Sequence, residues 1–403
     1  MSSPQSQLND RGPWLFLLAG SLLRVVWPLD MEWKFDEKWM FAKGLSIATG
    51  KTGFPALGMS SGVGLRNPGM SVWPFGVLAF FTHDPVAMAQ LVQGLNVLVL
   101  WLFALWVMRT WDEADRALGL WGVALFAVSP LAVLFSRKIW AQDVLIAFVL
   151  PWLWSHRRRQ HAWGAAAWGF SGALLGQVHM SGLFAGPALF AATLWRDRRH
   201  FRWLPWLIGS AIGALPLLPW LRMLLTPSGS VAHAKHFSLR FLPEAMNHAF
   251  GLGLIYPLGL DFLAFLKGPT LFGAPTYLAG ALHVALIALF GFGIYARLRR
   301  PREPPPEPIR LYTACVLLTG LLLFALRVDI YAHYLIVFGP VLHCAAIWLI
   351  YPRRRALIAA CALQLLLSAS FLTFVHERGG APRADYGKTY RTQTPDERRL
   401  DAP

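Results

Sequence analysis

The chain has 403 residues, 56% hydrophobic and only 14% charged, with 37 Lys and Arg against 21 Asp and Glu and a formal charge of +16. Soluble domains carry about 25% charged residues, so this composition excludes an ordinary soluble enzyme and points to a polytopic membrane protein. It also excludes a nucleic-acid partner, because the basic residues sit in short loops between apolar runs and form no stripe interleaved with exposed aromatics.

In chain order, eleven stretches approach the roughly 20 apolar residues that a helix needs to cross a bilayer. They lie near 12–29, 85–108, 117–135, 141–155, 162–179, 181–195, 203–222, 276–296, 311–326, 333–351 and 356–375. The expected fold class is an all-α polytopic membrane protein of about eleven transmembrane helices, with one membrane domain over 1–375. The first stretch reads as an uncleaved signal anchor. Met1 to Asp10 has no basic n-region, Arg24 interrupts the apolar run, and no A-x-A site follows.

Directly after it, "PLDMEWKFDEKW" (28–39) sets Asp30, Glu32, Asp36 and Glu37 beside Lys34 and Lys38. The rest of segment 30–84 reads as a short surface helix, a Gly-rich loop, and an interfacial or re-entrant helix at "SVWPFGVLAFF". A second long segment, 222–275, reads as an outer loop and holds His233, His236 and His248 in no metal-like register. "RRPREPPPEPIR" (299–310) is a linker whose prolines cannot continue a helix. Residues 376–403 read as a polar, mobile extracytoplasmic tail.

Arginine sets the orientation. With the N-terminus cytoplasmic, loops 109–116, 156–161, 196–202, 297–310 and 353–355 fall inside and carry 17 arginines, as the positive-inside rule requires. The expected location is a cell inner (plasma) membrane, crossed many times, with the active site on the extracytoplasmic side. The 19 Trp suit interfacial belts. Cys315, Cys344 and Cys361 fall in apolar stretches without a CxxC pair and read as inert core residues.

Several motifs share that outer side. They are the Asp36–Glu37 pair after the first span, the loop "RNPG", and the third span's "SPLAVLFSRKIWAQDVLIAF". "GQVHMSGL" ends the fifth span, and "YAHYLIVFGP" opens the tenth. In this order they resemble integral-membrane glycosyltransferases of the GT-C class, in particular protein O-mannosyltransferases and the aminoarabinose transferase of lipid A. The resemblance covers residues 12–350 and rests on motif order rather than on any single motif. It implies a GT-C-like fold with interfacial helices in the first extracytoplasmic loop. It also implies transfer of a sugar from a polyprenyl-phosphate donor to a hydroxyl of a lipid, glycan or protein acceptor. Relatives differ in metal use, so no cofactor is certain and a divalent cation stays open.

Such chemistry needs a base for the acceptor hydroxyl, positive charge or fixed dipoles for the leaving phosphate, and a lipid-lined groove. Asp36 is the candidate base, against the plainer reading of a solvated surface helix with ordinary ion pairs. Glu37 points about 100° away on the same helix and reads as support, three residues from Lys34. Asp143 matches the family's second acid; it can orient an acceptor, help hold a cation, or simply cap a helix.

Arg137 and Lys138 lie on the side the charge rule disfavours. With Arg66 they are candidates for the donor phosphate, the alternative being stems that reach lipid headgroups. His179 and His333 join them by resemblance, although a lone His among apolar residues is more often structural, and Tyr334 joins them as a hydroxyl able to donate to phosphate or sugar. Arg327 contacts phosphate or pairs with Asp329, and Arg24 is expected to reach the interface along its stem.

No G-x-x-x-x-G-K-[ST], HExxH or GxSxG motif occurs, which fits a lipid-linked donor that carries its own activation energy. A soluble C-terminal domain like that of O-mannosyltransferase relatives is also missing, which weighs against a protein acceptor. The alternative function is a transporter or flippase of lipid-linked glycans, and the third a non-catalytic scaffold. Transporters show pseudo-repeats and mid-membrane charges, and no repeat is visible here.

Overall fold

A computed structural model describes residues 10–60, 66–226, 239–299, 304–328 and 331–400. The protein is mostly helical, at 75%. Helix α1 (Gly12–Val25) leads through the acidic stretch into α2 (Phe35–Ala48). The antiparallel ribbon β1 (Leu57–Ser60) and β2 (Arg66–Pro68), then α3 (Trp73–Ala79), complete the first long segment. The bundle continues through α4 (Pro85–Thr110), α5 (Glu113–Val128), the short α6 (Pro130–Leu134) and α7 (Ala141–Arg157). Next come α8 (Ala162–Val178), α9 (Ser181–Asp197), α10 (Trp203–Ala214) and α11 (Leu218–Leu224). Helices α12 (Phe241–Phe250), α13 (Ile255–Leu258) and α14 (Phe262–Leu266) precede a small hairpin, β3 (Thr270–Leu271) and β4 (Ala274–Pro275). Helices α15 (Leu278–Arg299) and α16 (Glu307–Ala325) follow, then a 3-10 stretch, Ala332–Phe338, that runs into α17 (Gly339–Ile350). Last come α18 (Arg354–Arg378), the hairpin β5 (Gly380–Ala381) and β6 (Gly387–Lys388), and α19 (Pro395–Arg398).

Helices occupy all eleven stretches picked out by hydropathy, but the count of crossings is smaller by a strict measure. Among the described residues, six helices are long and apolar enough to cross a membrane, or seven if a bent pair counts as one. This is consistent with an all-α membrane protein. The shortfall has a geometric cause: α7, α8 and α9 have 17 residues each. Seventeen residues rise only about 25 Å, short of the roughly 30 Å hydrocarbon core.

The core sits around α5, whose residues Ala117 to Val128 are all buried. It packs against α1, α4, α17 and α18. The contact with α1 is backbone-close: a Cβ on Gly20 would lie 2.3 Å from the carbonyl oxygen of Ala127. Small residues at such crossings let membrane helices pack by van der Waals contact. At the periphery, Leu204, Leu207, Ile208 and Ile212 on α10, and Val284 and Ile287 on α15, are exposed. Apolar faces of this extent suit lipid rather than water.

Two expectations are corrected. Segment 222–275, read as a loop, contains the apolar pair Phe241–Phe250 and Ile255–Leu266, bent by 99° at a short break. Gly251, at φ 80°, makes that turn. The tail, read as mobile, is folded: α18 stops at Gly379 (φ 69°), and Gly380 (φ 117°) starts a hairpin back onto the acidic stretch. There Glu32 bridges Thr389, Tyr390 N–H donates to the Met31 carbonyl at 3.0 Å, and Gln393 Nε2 to the Trp33 carbonyl at 2.8 Å. His233, His236 and Asp329 lie outside the described residues.

Candidate active site

The acidic stretch, the 135–140 loop, the end of α8, the start of the Ala332–Phe338 stretch and the folded tail meet at one end of the bundle. Asn96, about three turns into α4, donates to the backbone carbonyl of Asp143 at 2.7 Å. The N-terminus of α7 therefore sits beside the middle of α4 rather than beside its start.

A buried knot of charge lies at its centre. Lys138 is 2% exposed, and its ammonium lies 2.8 Å from Glu32 Oε2 and 3.6 Å from Glu37 Oε1. Lys34 Nζ reaches the same Glu32 oxygen at 3.0 Å and Asp385 at 3.6 Å. Lys138 also sits over the Trp140 ring at 4.4 Å and the Phe135 ring at 5.2 Å. Burial alone would raise the Glu32 carboxyl, but Lys138 and Lys34 overcome it and hold the group below its ordinary value. Lys138 is raised: burial opposes its charge, and Glu32 and Glu37 outweigh burial.

Local sequence explains how the knot forms. Glu37 is the third residue of α2 and accepts the Lys34 backbone N–H at 3.0 Å, which ties the helix start. Asp143, fully buried in the first turn of α7, accepts the backbone N–H groups of Arg137 at 3.0 Å and Lys138 at 3.1 Å on one oxygen. It thereby shapes the loop that delivers Lys138. Its second oxygen is buried without a partner among the described residues.

Asp36 stands apart. It is half-buried and makes no hydrogen bond or ion pair among the described residues. Every other carboxylate of the stretch is engaged, with Asp30 held by Arg391 at 2.9 Å and by His376. Burial raises the Asp36 carboxyl above its ordinary range, and Asp385 and Glu32 add to this against the pull of Lys34 and Lys138. Glu37 is raised too, mainly by burial.

Arg137 does not face this space. Its guanidinium donates to the carbonyls of Leu23 (2.6 Å), Arg24 (3.0 Å), Val26 (2.5 Å) and Trp27 (3.1 Å). Leu23 and Arg24 carry two of the carbonyls that the C-terminus of α1 leaves unmatched, and Val26 and Trp27 follow directly, so Arg137 caps α1 and is removed from the phosphate set. Arg24 is corrected likewise. It is 1% exposed and bonds the carbonyls of Ala127 and Ala132 instead of reaching the interface. Arg66 is exposed on β2, where its side chain holds the Gly58 carbonyl at 3.1 Å, with no contact to the knot among the described residues.

The two histidines come together. Their rings lie 5.5 Å apart, and Tyr334 is 5.4 Å from His179. His179 Nε2 accepts from the Gln142 amide at 2.9 Å, beside Asp143 in sequence. His333 takes Tyr256 Oη at 3.2 Å and is 5.0 Å from the Trp140 ring over which Lys138 sits. An aromatic and imidazole wall thus runs from Lys138 to Gln142.

A divalent cation finds a poor fit. The carboxylates of the knot are already compensated by ammonium groups, and no group of three or more His, Cys, Asp or Glu is arranged to hold a metal among the described residues. Sequence reasoning missed Glu32, Lys34 as a site cation, and Asp385. Glu32 lay in view within the quoted stretch, whereas Asp385 had no local signal.

No family model matches the chain, and no curated protein is significantly similar to it.

Proposed function

We propose that this protein is a membrane glycosyltransferase. It moves a sugar from a polyprenyl-phosphate donor to a hydroxyl of a lipid, glycan or protein acceptor on the extracytoplasmic side. The observation that carries this reading is Asp36: a half-buried carboxylate without a partner among the described residues, raised in pKa, beside two lysines. A general base works best when its proton affinity approaches the working pH. In the proposed step Asp36 takes the acceptor's proton as its oxygen attacks the anomeric carbon. The bond from that carbon to the phosphate oxygen breaks, and the electron pair leaves with the polyprenyl phosphate. Lys34 and Lys138 offset the charge that develops there. Glu32, Glu37 and Asp143 position the lysines.

The far end of the bundle supports the orientation. There Glu307 gathers Arg157 at 2.8 Å, Arg196 at 3.4 Å and Arg159 at 3.6 Å, joining loops that are far apart in sequence. An arginine-rich end is the cytoplasmic one by the positive-inside rule. One feature favours the flippase reading, the bent pair α12 to α14, since broken helices are common in transporters. The test is transfer from a panel of labelled polyprenyl-phosphate sugars by the parent protein and by Asp36→Asn. Transfer by the parent and its loss in Asp36→Asn is expected. Equal transfer by both removes Asp36, and no transfer by the parent with any donor favours the flippase.

A further inference from the structure

A second site lies beside the knot, framed by hairpin β3–β4 and the end of α18. It is a cavity of about 410 Å³. Its apolar lining includes the buried Phe265 and also Leu260 and Leu263, which remain 75% and 71% exposed. Its charged lining is Lys267, Arg378 and Arg383 against a single acid, Glu377. Arg383 is already committed, gripping Asp261 at 2.6 and 2.9 Å. Lys267 and Arg378 are exposed and form no ion pair among the described residues, although Arg378 lies 4.7 Å over the Phe374 ring.

The neighbouring hairpin adds a membrane cue. Phe272, at its tip, is fully exposed, and Leu271 beside it is 60% exposed. Bare aromatic and aliphatic side chains next to uncommitted cations are the pattern of a lipid–water boundary.

We infer that this cavity binds the head of an acidic, phosphate-bearing membrane lipid, with Lys267 and Arg378 on the phosphate and acyl chains along Leu260 and Leu263. Charge complementarity selects the head: two uncommitted cations face one acid, and cations near a membrane surface attract anionic lipids. The exposed leucines select an amphiphile over a free anion. The site does not depend on the glycosyl-transfer reading. It does touch the candidate active site, because the turn between β5 and β6 places Arg383 in this cavity and Asp385 beside Lys34.

The test uses the full chain, purified in detergent and stripped of lipid, with binding read by native mass spectrometry. The probes are phosphatidylglycerol, phosphatidylcholine and inorganic phosphate. Phosphatidylglycerol is expected to bind in preference to phosphatidylcholine. The double variant Lys267→Gln/Arg378→Gln should weaken that binding about tenfold or more without lowering the melting temperature. Leu260→Gln/Leu263→Gln should weaken it as well. Equal binding of the two lipids, or parental affinity in the Lys267→Gln/Arg378→Gln protein, overturns the proposal. Inorganic phosphate competing at the lipid's own affinity also overturns it, by assigning the site to a free anion.

Discussion

Lys138 and Glu32, 106 residues apart in sequence, meet at 2.8 Å with both side chains almost wholly buried. Removing one partner of such a pair leaves an uncompensated charge out of water, which destabilises by about 3–5 kcal/mol. Lys138→Ala should lose stability on that scale in chemical unfolding of the detergent-solubilised protein. Lys138→Met with Glu32→Leu should recover much of it, since two apolar residues replace two charges. If Lys138→Ala is as stable as the parent, the pair is not buried as described.

Asp36 should set the acid limb of the proposed transfer reaction. Its carboxyl is raised above its ordinary value of 3.8, so activity should climb with pH as it ionises, at a pH above that value. Asp385 contributes to the rise. Asp385→Asn should therefore move the limb to lower pH, and a profile that stays in place would remove Asp385 from the surroundings of the base.

Glu32 governs a different response. Its folded-state value lies below its ordinary 4.5, so it contributes stability above that value and loses it as pH falls through the folded one. Melting temperature should therefore drop as the protein is acidified below about pH 4.5, and Glu32→Gln should flatten that part of the curve.

Arg137→Gln separates a cap from a phosphate ligand. Four carbonyls at the end of α1 lose a charged donor. The expected cost is about 2 kcal/mol or more of stability, with the donor KM unchanged. A raised KM at parental stability would return Arg137 to the donor site.

Much of the fold was legible because burial in lipid leaves a plain trace in composition. The helix positions, the α2 and α3 helices of the first segment, and the gathering of Asp143, Lys138, His179 and His333 near one end all follow from apolar runs and loop polarity. Residue type carried less. Arg137 and Lys138 are neighbours, yet one ties off a helix and the other enters a carboxylate knot; only the direction of each side chain separates them. Arg24 was read as reaching outward because a cation in an apolar run is costly, and the free carbonyls that satisfy it belong to Ala127 and Ala132, far along the chain. The broken helix at Gly251 was hidden because each half is short. Tail residues such as Asp385 and Tyr386 look like solvent-exposed linker, since their partners lie some 350 positions earlier.

That tail has a consequence for biogenesis. Residues 385–398 leave the ribosome after every helix of the bundle, and they bond Lys34, Trp33 and Lys38. The segment that follows α1 must wait, open, until translation has reached the last turn of the fold. A nascent chain halted after α18 would hold every long apolar helix and still leave Trp33, Lys34 and Lys38 without these partners.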